Sequence, residues 1–209
     1  MRHRRRGRVL GRNPSHQREL LRSLASNLFL TERDTEDLRY IKLESEPNVP
    51  GRIVTTVAKA KEVRPLVEKC ITIAKKAIAS EEAAREFATD ARRNSEEWKS
   101  WRGSDRWHKW NAAIAPSLAA RRRCLELLGD KLAVLALFDS VAQRFVDRPG
   151  GYTRIVRLAH PRLGDAGPRA ILEFTGVNDR TVTRSQRPAF DTEEDAEETE
   201  SAEPASATP

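Results

Sequence analysis

The chain has 209 residues, of which 38% are apolar and 33% charged, so it can build a modest core but leaves part of its length outside one. Its net charge is +7, and the asymmetry is larger still: eight acids and no Lys or Arg fall between Phe190 and Pro209, so residues 1–189 carry 38 basic against 23 acidic side chains, a net +15. A body that basic repels itself unless a polyanion neutralises it, which points to nucleic acid and away from an acidic or membrane-spanning protein; no run of 18 apolar residues exists for a span.

Residues 1–14 contain Arg2, Arg4, Arg5, Arg6, Arg8 and Arg12 and no acid. With two glycines and little apolar content this segment cannot fold alone, and it is expected to be a flexible basic arm that orders on a partner. Arginine is always charged, and its fork of donors suits phosphate oxygens and guanine edges. Ser15 is the expected cap of a helix to about Leu30, with Leu20, Leu24 and Leu28 on one stripe. Residues 34–51, with Pro47, Pro50 and Gly51, suggest a loop insertion, and Ile53 to Thr56 a short strand.

A long helical pattern then spans about Ala58 to Ala79, with Val63, Val67, Cys70, Ile71, Ala74 and Ile78 on its apolar face and Pro65 as an expected kink or break. Lys59, Lys61 and Arg64 lie mostly off that face and are candidates for RNA contact. Residues 81–118 are charged and alanine-rich and hold all four tryptophans within Trp98–Trp110. Interleaved Lys and Arg allow a platform on which bases stack; a helical hairpin near Gly103 that buries its own aromatic core is the other alternative, and the i, i+3 spacing of each Trp pair favours it.

A helix is expected from about Leu118 to Leu128, and another after Asp130, where Val134, Leu137, Phe138, Val141 and Phe145 make a core stripe with Phe138 at its centre, facing the closing hairpin. Pro149-Gly150-Gly151 breaks it. The strand-prone runs Tyr152–Leu158 and Arg169–Thr175, joined by a Pro- and Gly-rich gap, suggest a hairpin with a long loop. Two readings of Gly150, Gly151, Tyr152 and Thr153 stand level: a phosphate approaching the glycine amides with Tyr152 on a base and Arg148 and Arg154 flanking, or a tight turn with Tyr152 in the core. From Val177 the tail is acidic and of low complexity, with disorder expected.

Cys70 and Cys124 have no metal-ligand spacing with the four histidines and are expected to be buried thiols. No phosphate-binding Gly-Lys-Ser/Thr loop and no Ser/His/Asp or Cys/His arrangement is visible, so neither catalysis, a cofactor, a metal nor a small-molecule substrate is expected.

Four blocks carry a more specific signal. Met1-Arg2-His3-Arg4 with Gly7-Arg8 and Arg12-Asn13-x-Ser15-His16 leads into a helix; Thr55-Thr56-Val57-Ala58-Lys59-Ala60-Lys61-Glu62-Val63-Arg64-Pro65 enters the long one. Leu137-Phe138-Asp139 through Arg148-x-Gly150-Gly151-Tyr152-Thr153-Arg154-Ile155 is the third, and Arg162-Leu163-Gly164-Asp165 with Ala170-Ile171-Leu172-Glu173-Phe174 the fourth. In this order they resemble the bacterial large-subunit ribosomal protein seventeen family. The resemblance implies an α+β domain, a small helical body on a short mixed sheet with a C-terminal β-hairpin, over residues 15–177. It implies a structural role in the large ribosomal subunit, in the cytoplasm, with ribosomal RNA held by Arg2, His3, Arg4, Arg5, Arg6, Arg8, Arg12 and Asn13 of the arm, by Ser15 and His16 at the start of the domain, and by the domain's basic face. Neighbouring large-subunit proteins near the nascent-chain exit side are the implied protein partners. It does not extend to about 34–51, about 88–118 or 178–209. A free arginine-rich RNA-binding regulator or assembly factor is the rival expectation.

Overall fold

The computed structural model of the chain describes residues 7–34, 37–40 and 47–176. Arg2 to Arg6 of the basic arm and the acidic tail over 178–209 lie outside the described residues.

Helix α1 spans Pro14–Leu30. Its cap is Asn13 rather than Ser15: the Asn13 carboxamide oxygen accepts from the Ser15 amide at 2.8 Å, and Pro14 occupies the first helical position, where a missing N–H costs nothing. Strand β1 (Arg52–Thr56) runs directly into α2 (Val57–Arg85), a helix of 29 residues, about 43 Å long. Pro65 does not break it. Both Pro65 and Lys61, whose carbonyl loses its helical donor there, are exposed, so the freed carbonyl lies on the solvent side of the helix rather than in the core.

Helix α3 (Glu96–Arg102) is capped by Ser95, and α4 (Asp105–Leu128) begins 13 residues before the expected Leu118. Helix α4 ends on Gly129, at φ +77°, where a left-handed residue closes the last turn. Asp130 then caps α5 (Lys131–Ala136) as expected, accepting from the Leu132 amide at 2.8 Å. The rod continues through a π-helical turn (Leu137–Val141) into α6 (Ala142–Arg144), so the expected single helix carries one wide turn in its middle.

Strands β2 (Thr153–Arg157) and β3 (Arg169–Phe174) form the closing hairpin, and β1 pairs with the other edge of β3, giving the order β1-β3-β2. The sheet is antiparallel throughout rather than mixed. The hairpin fixes β2 against β3, and β1, which points the same way as β2, pairs antiparallel with the far edge of β3. Ile53, Leu172 and Ile155 are register partners on the face that meets the helices. The fold class is α+β, as expected.

The core lies between α2 and everything else. Helix α2 contributes Ala60, Val63, Val67, Cys70, Ile71, Ala74 and Ala77; α1 adds Leu28 and Phe29, and β3 adds Leu172 and Phe174. The stripe Val134, Leu137, Phe138, Val141 and Phe145 is buried as expected. Its contact with the hairpin is made by Phe145, whose ring lies 5.2 Å from Tyr152 and 6.1 Å from Phe174. Phe138 instead lies under the Arg121 guanidinium of α4, at 4.3 Å, because the π-turn rotates the stripe between the two residues. The loop before β1 is tied to this core: Tyr40 is buried and Arg39 bridges Asp37 and Asp139 at 2.5 and 2.9 Å.

Cys70 and Cys124 are free, fully buried and adjacent, with the Cys124 thiol 3.9 Å from the Cys70 carbonyl. Their mutual hydrogen bond, and then burial, push the Cys70 thiol well above the ordinary range.

Two outcomes follow from this packing. Native protein exposed to a thiol reagent at neutral pH should alkylate neither cysteine until denaturant unfolds it, as followed by mass spectrometry; rapid native modification would place the pair outside the core. Phe174 stacks on Phe29 at 5.9 Å and meets Phe145 at a tilt, so Phe174→Ala should lower the free energy of unfolding by about 3–5 kcal/mol in a denaturant titration.

Candidate nucleic-acid interface

The root of the basic arm is fastened to the start of α2. Arg8 pairs with Glu62 at 3.6 Å, and the Gln17 side chain donates to the Arg8 carbonyl at 2.6 Å. Gly7 has φ +93° and passes so close that an added Cβ would meet a Glu62 oxygen at 3.4 Å. The arm therefore leaves the body beside the first turns of α2. Arg12, Ser15 and His16 are exposed there, Arg12 with no ion pair among the described residues. Asn13 is engaged as the helix cap.

The same end of α2 bears an open groove of about 410 Å³ against the edge strand β2. Val57, Lys61 and Arg64 line one wall, at i, i+4 and i+7 of the helix; Thr153, Arg154, Ile155 and Arg157 line the other. Four cations and no acid form its lining. The long-range pairing of β1 with β3, whose other edge holds β2, brings residues about 90 positions apart in sequence within reach of one ligand.

Glu68, outside the lining, ties the two walls together. One of its oxygens accepts from Arg64 at 3.1 Å and from the Thr153 hydroxyl at 2.9 Å, which anchors the helix to the strand. Arg64 is still half exposed, and so open a pair is worth only a few tenths of a kcal/mol; its guanidinium can turn to a stronger anion. Arg154 is more committed. It donates to Glu173 at 2.6 Å, and the Glu173 side chain is only 5% exposed, so Arg154 is the counter-ion of a buried carboxylate on β3.

The candidate residues thus divide. Lys61, Arg64, Thr153 and Arg154 come together, and the root residues Arg8 and Arg12 lie at the same end of the molecule. Lys59 is not in the groove: two positions from Lys61, it is turned roughly 200° around the helix. Arg157 was missed by the sequence reasoning, although its alternation with Thr153 and Ile155 along β2 was a usable signal.

Tyr152 offers no surface to a base. It is 3% exposed and packed on Phe145, and its carbonyl accepts from the Thr175 amide at 3.0 Å, so of the two readings of this block the core turn holds for Tyr152. Gly150 and Gly151 have nothing within 4 Å of an added Cβ, which leaves their backbone open to a ligand. Arg148 donates to the Gly150 carbonyl at 3.1 Å while Lys75 donates to the Arg148 carbonyl at 2.7 Å, pinning this turn to the middle of α2.

The tryptophan segment does form a hairpin, of α3 and α4 turning at Gly103. Trp101 meets Trp110 edge to face at 5.5 Å, and its indole N–H donates to the Phe87 carbonyl at 3.1 Å. All four tryptophans are nevertheless only half buried. Among the described residues no helix is long and apolar enough to cross a membrane, and no three His, Cys, Asp or Glu side chains gather as a metal cage requires.

A family model described as Ribosomal protein L17 matches residues 20–175. The large ribosomal subunit protein bL17 of Rhodopirellula baltica is 58% identical over 207 residues, covering 99% of this chain and 95% of that protein. The bL17 proteins of Nitratidesulfovibrio vulgaris and Thermomicrobium roseum are each 34% identical, covering 90% and 83% of this chain and 96% and 98% of their own lengths.

The two glycines of the turn differ in backbone: Gly151 sits at φ +64° and Gly150 does not lie in the left-handed region. Since neither has a steric neighbour, backbone strain alone separates them. Gly151→Ala should cost about 1–2 kcal/mol of stability and Gly150→Ala close to nothing, as read by paired thermal melts; equal costs would remove the turn conformation from the explanation.

Proposed function

The chain belongs to the ribosomal protein L17 family, and on that premise we propose how it does its work as a structural constituent of the large ribosomal subunit: the arm and the α2–β2 groove together clamp ribosomal RNA. The observation that supports this reading most is the groove itself, four cations with no acid, opening at the end of α2 from which the arm departs. Lys61, Arg64 and Arg157 take phosphates on the surface of the RNA. Arg154 sets the strand and lends partial charge. The arm's arginines, Arg2, Arg4, Arg5, Arg6, Arg8 and Arg12, enter a groove or junction too narrow for a folded surface. The exposed amides of Gly150 and Gly151, with Arg148 beside them, accept a further phosphate.

The work is positional and not catalytic. Phosphate contacts neutralise RNA helices that would otherwise repel, and hold them in register during and after assembly. Other large-subunit proteins abut the faces that RNA leaves free, and the nascent-chain exit side is the location we assign to the chain in the cytoplasmic ribosome. A free RNA-binding regulator would share the arm but not a fixed stoichiometry, so one copy per large subunit in high-salt gradients separates the two.

The full chain titrated against a structured ribosomal RNA fragment over a range of salt should show a steep log–log slope. Deleting residues 2–12 should flatten it by roughly 4–5, and converting Lys61, Arg64 and Arg157 together to Gln by roughly 2–3, since each neutralised phosphate contributes about 0.7–0.9. A slope unmoved by the triple substitution would remove the groove from the RNA-binding surface.

A further inference from the structure

The tryptophan hairpin holds a second open groove, of about 430 Å³, at the far end of α2. All four indoles line it, with Arg93 and Arg102 as its only charged lining residues. The indoles have two different jobs. Trp101 and Trp110 hold the hairpin together by their mutual edge contact and the bond from Trp101 to the Phe87 carbonyl. Arg106 reinforces this seam, donating to the Glu86 and Ala88 carbonyls at 3.0 and 3.1 Å.

Trp98 and Trp107 hold nothing comparable. Trp98 lies under the Arg102 guanidinium at 5.1 Å, and Trp107 touches only the ring of its neighbour His108, at 4.9 Å, among the recorded ring contacts. Both stay partly exposed along the open groove. Arg93 has no hydrogen bond or ion pair among the described residues. A planar π surface extended by a guanidinium, with a second free guanidinium on the rim and no acid in the lining, is complementary to a flat ring that carries a negative charge one sugar unit away.

We propose that this groove is a second RNA site, which takes an unpaired nucleotide: its base stacks on the indoles of Trp98 and Trp107, and its phosphate lies between Arg93 and Arg102. Stacking tolerates any base, because every base has a π face, and purines offer the larger one. The guanidiniums set the polarity of the ligand and exclude a basic peptide. The site adds to the RNA clamp at the other end of α2 and rests on that reading only in taking RNA as the polyanion.

The chain contains four tryptophans, all of them here, so intrinsic tryptophan fluorescence of the full-length protein reports on this groove alone. A short oligoadenylate, an abasic oligomer with the same sugar-phosphate backbone, and polyglutamate are titrated in parallel, and binding is followed independently by calorimetry. Oligoadenylate should quench the fluorescence saturably, and the two base-free polyanions should not. Trp98→Ala and Trp107→Ala should each weaken the quenching phase by about five- to 150-fold, the range expected for one stacked base, and Trp→Phe at the same position should restore much of it. Should either alanine variant lose the hairpin by circular dichroism, Arg93→Gln combined with Arg102→Gln leaves the Trp101–Trp110 seam intact and should weaken the same phase. Binding of oligoadenylate without quenching would overturn this site and leave the α2–β2 clamp standing. So would equal quenching by the base-free polyanions, or a fluorescence change produced by another large-subunit protein but not by RNA. Absence of RNA binding in both signals would overturn the two together.

Discussion

The buried stripe of α2 is the constraint on which the rest of the molecule depends. Ala60, Val63, Val67, Cys70, Ile71, Ala74 and Ala77 recur at three and four residues and keep one face of the helix apolar for most of its length. Helix α1, helix α4, the sheet and α6 each bury their own apolar side against it. The stripe ends in alanines, and small side chains there let α4 lie close; Ser117 and Arg121 of α4 both donate to Glu81 of α2, from 2.5 and 3.0 Å. With one face of α2 consumed by packing, the opposite face must carry whatever the chain presents to its surroundings. At its first turns that is Lys61 and Arg64.

How the acids are used explains why the cations remain available. Among the described residues Glu62 holds Arg8, Glu68 holds Arg64 and Thr153, Glu81 staples α2 to α4, Glu32 pairs with Arg144 and Glu173 with Arg154. Most of these pairs are partly exposed and contribute little stability each. Their larger consequence is placement: the negative charge is spent at joints between elements, and none of it lines either groove. A net-basic body can thus present uninterrupted positive patches without being uniformly basic.

Much of this was legible from sequence where a periodic apolar signal existed. The α2 stripe, the 134–145 stripe and the closing hairpin all rest on such signals, and a reader of the sequence finds them. Legibility failed where context decides. The start of α4 was placed at Leu118 because residues 105–117 have no continuous apolar stripe, yet the helix runs there, extended by the Trp101–Trp110 contact and by an alanine-rich composition. Asn13 displaced Ser15 as cap because Pro14 takes the first helical position for itself. Tyr152 could stack outward or inward on sequence grounds, and Phe145 and Phe174, brought from α6 and β3, draw it inward. The candidate groove was half legible: Lys61 and Arg64 share a helical face that periodicity reveals, but their meeting with Thr153 and Arg157 is a product of sheet topology.

The length and stiffness of α2 give its two ends a relation that neither has alone. From Lys61 to Arg85 is 24 helical steps, about 36 Å, and Pro65, on the solvent side, does not interrupt the rod. The near end offers charge with little shape, through an arm and an open cationic groove. The far end offers flat aromatic surface with little charge. Counterion release dominates the first kind of contact and weakens steeply as salt rises; stacking dominates the second and depends on an unpaired base being presented at one place. On the two proposals together, a rigid spacer between such contacts would measure RNA: the charged end would accept nearly any phosphate backbone, but both ends would be satisfied together only where an unpaired nucleotide lies at the helix's own length from a phosphate cluster. Affinity would then reside mainly at the near end of α2 and placement at the far one.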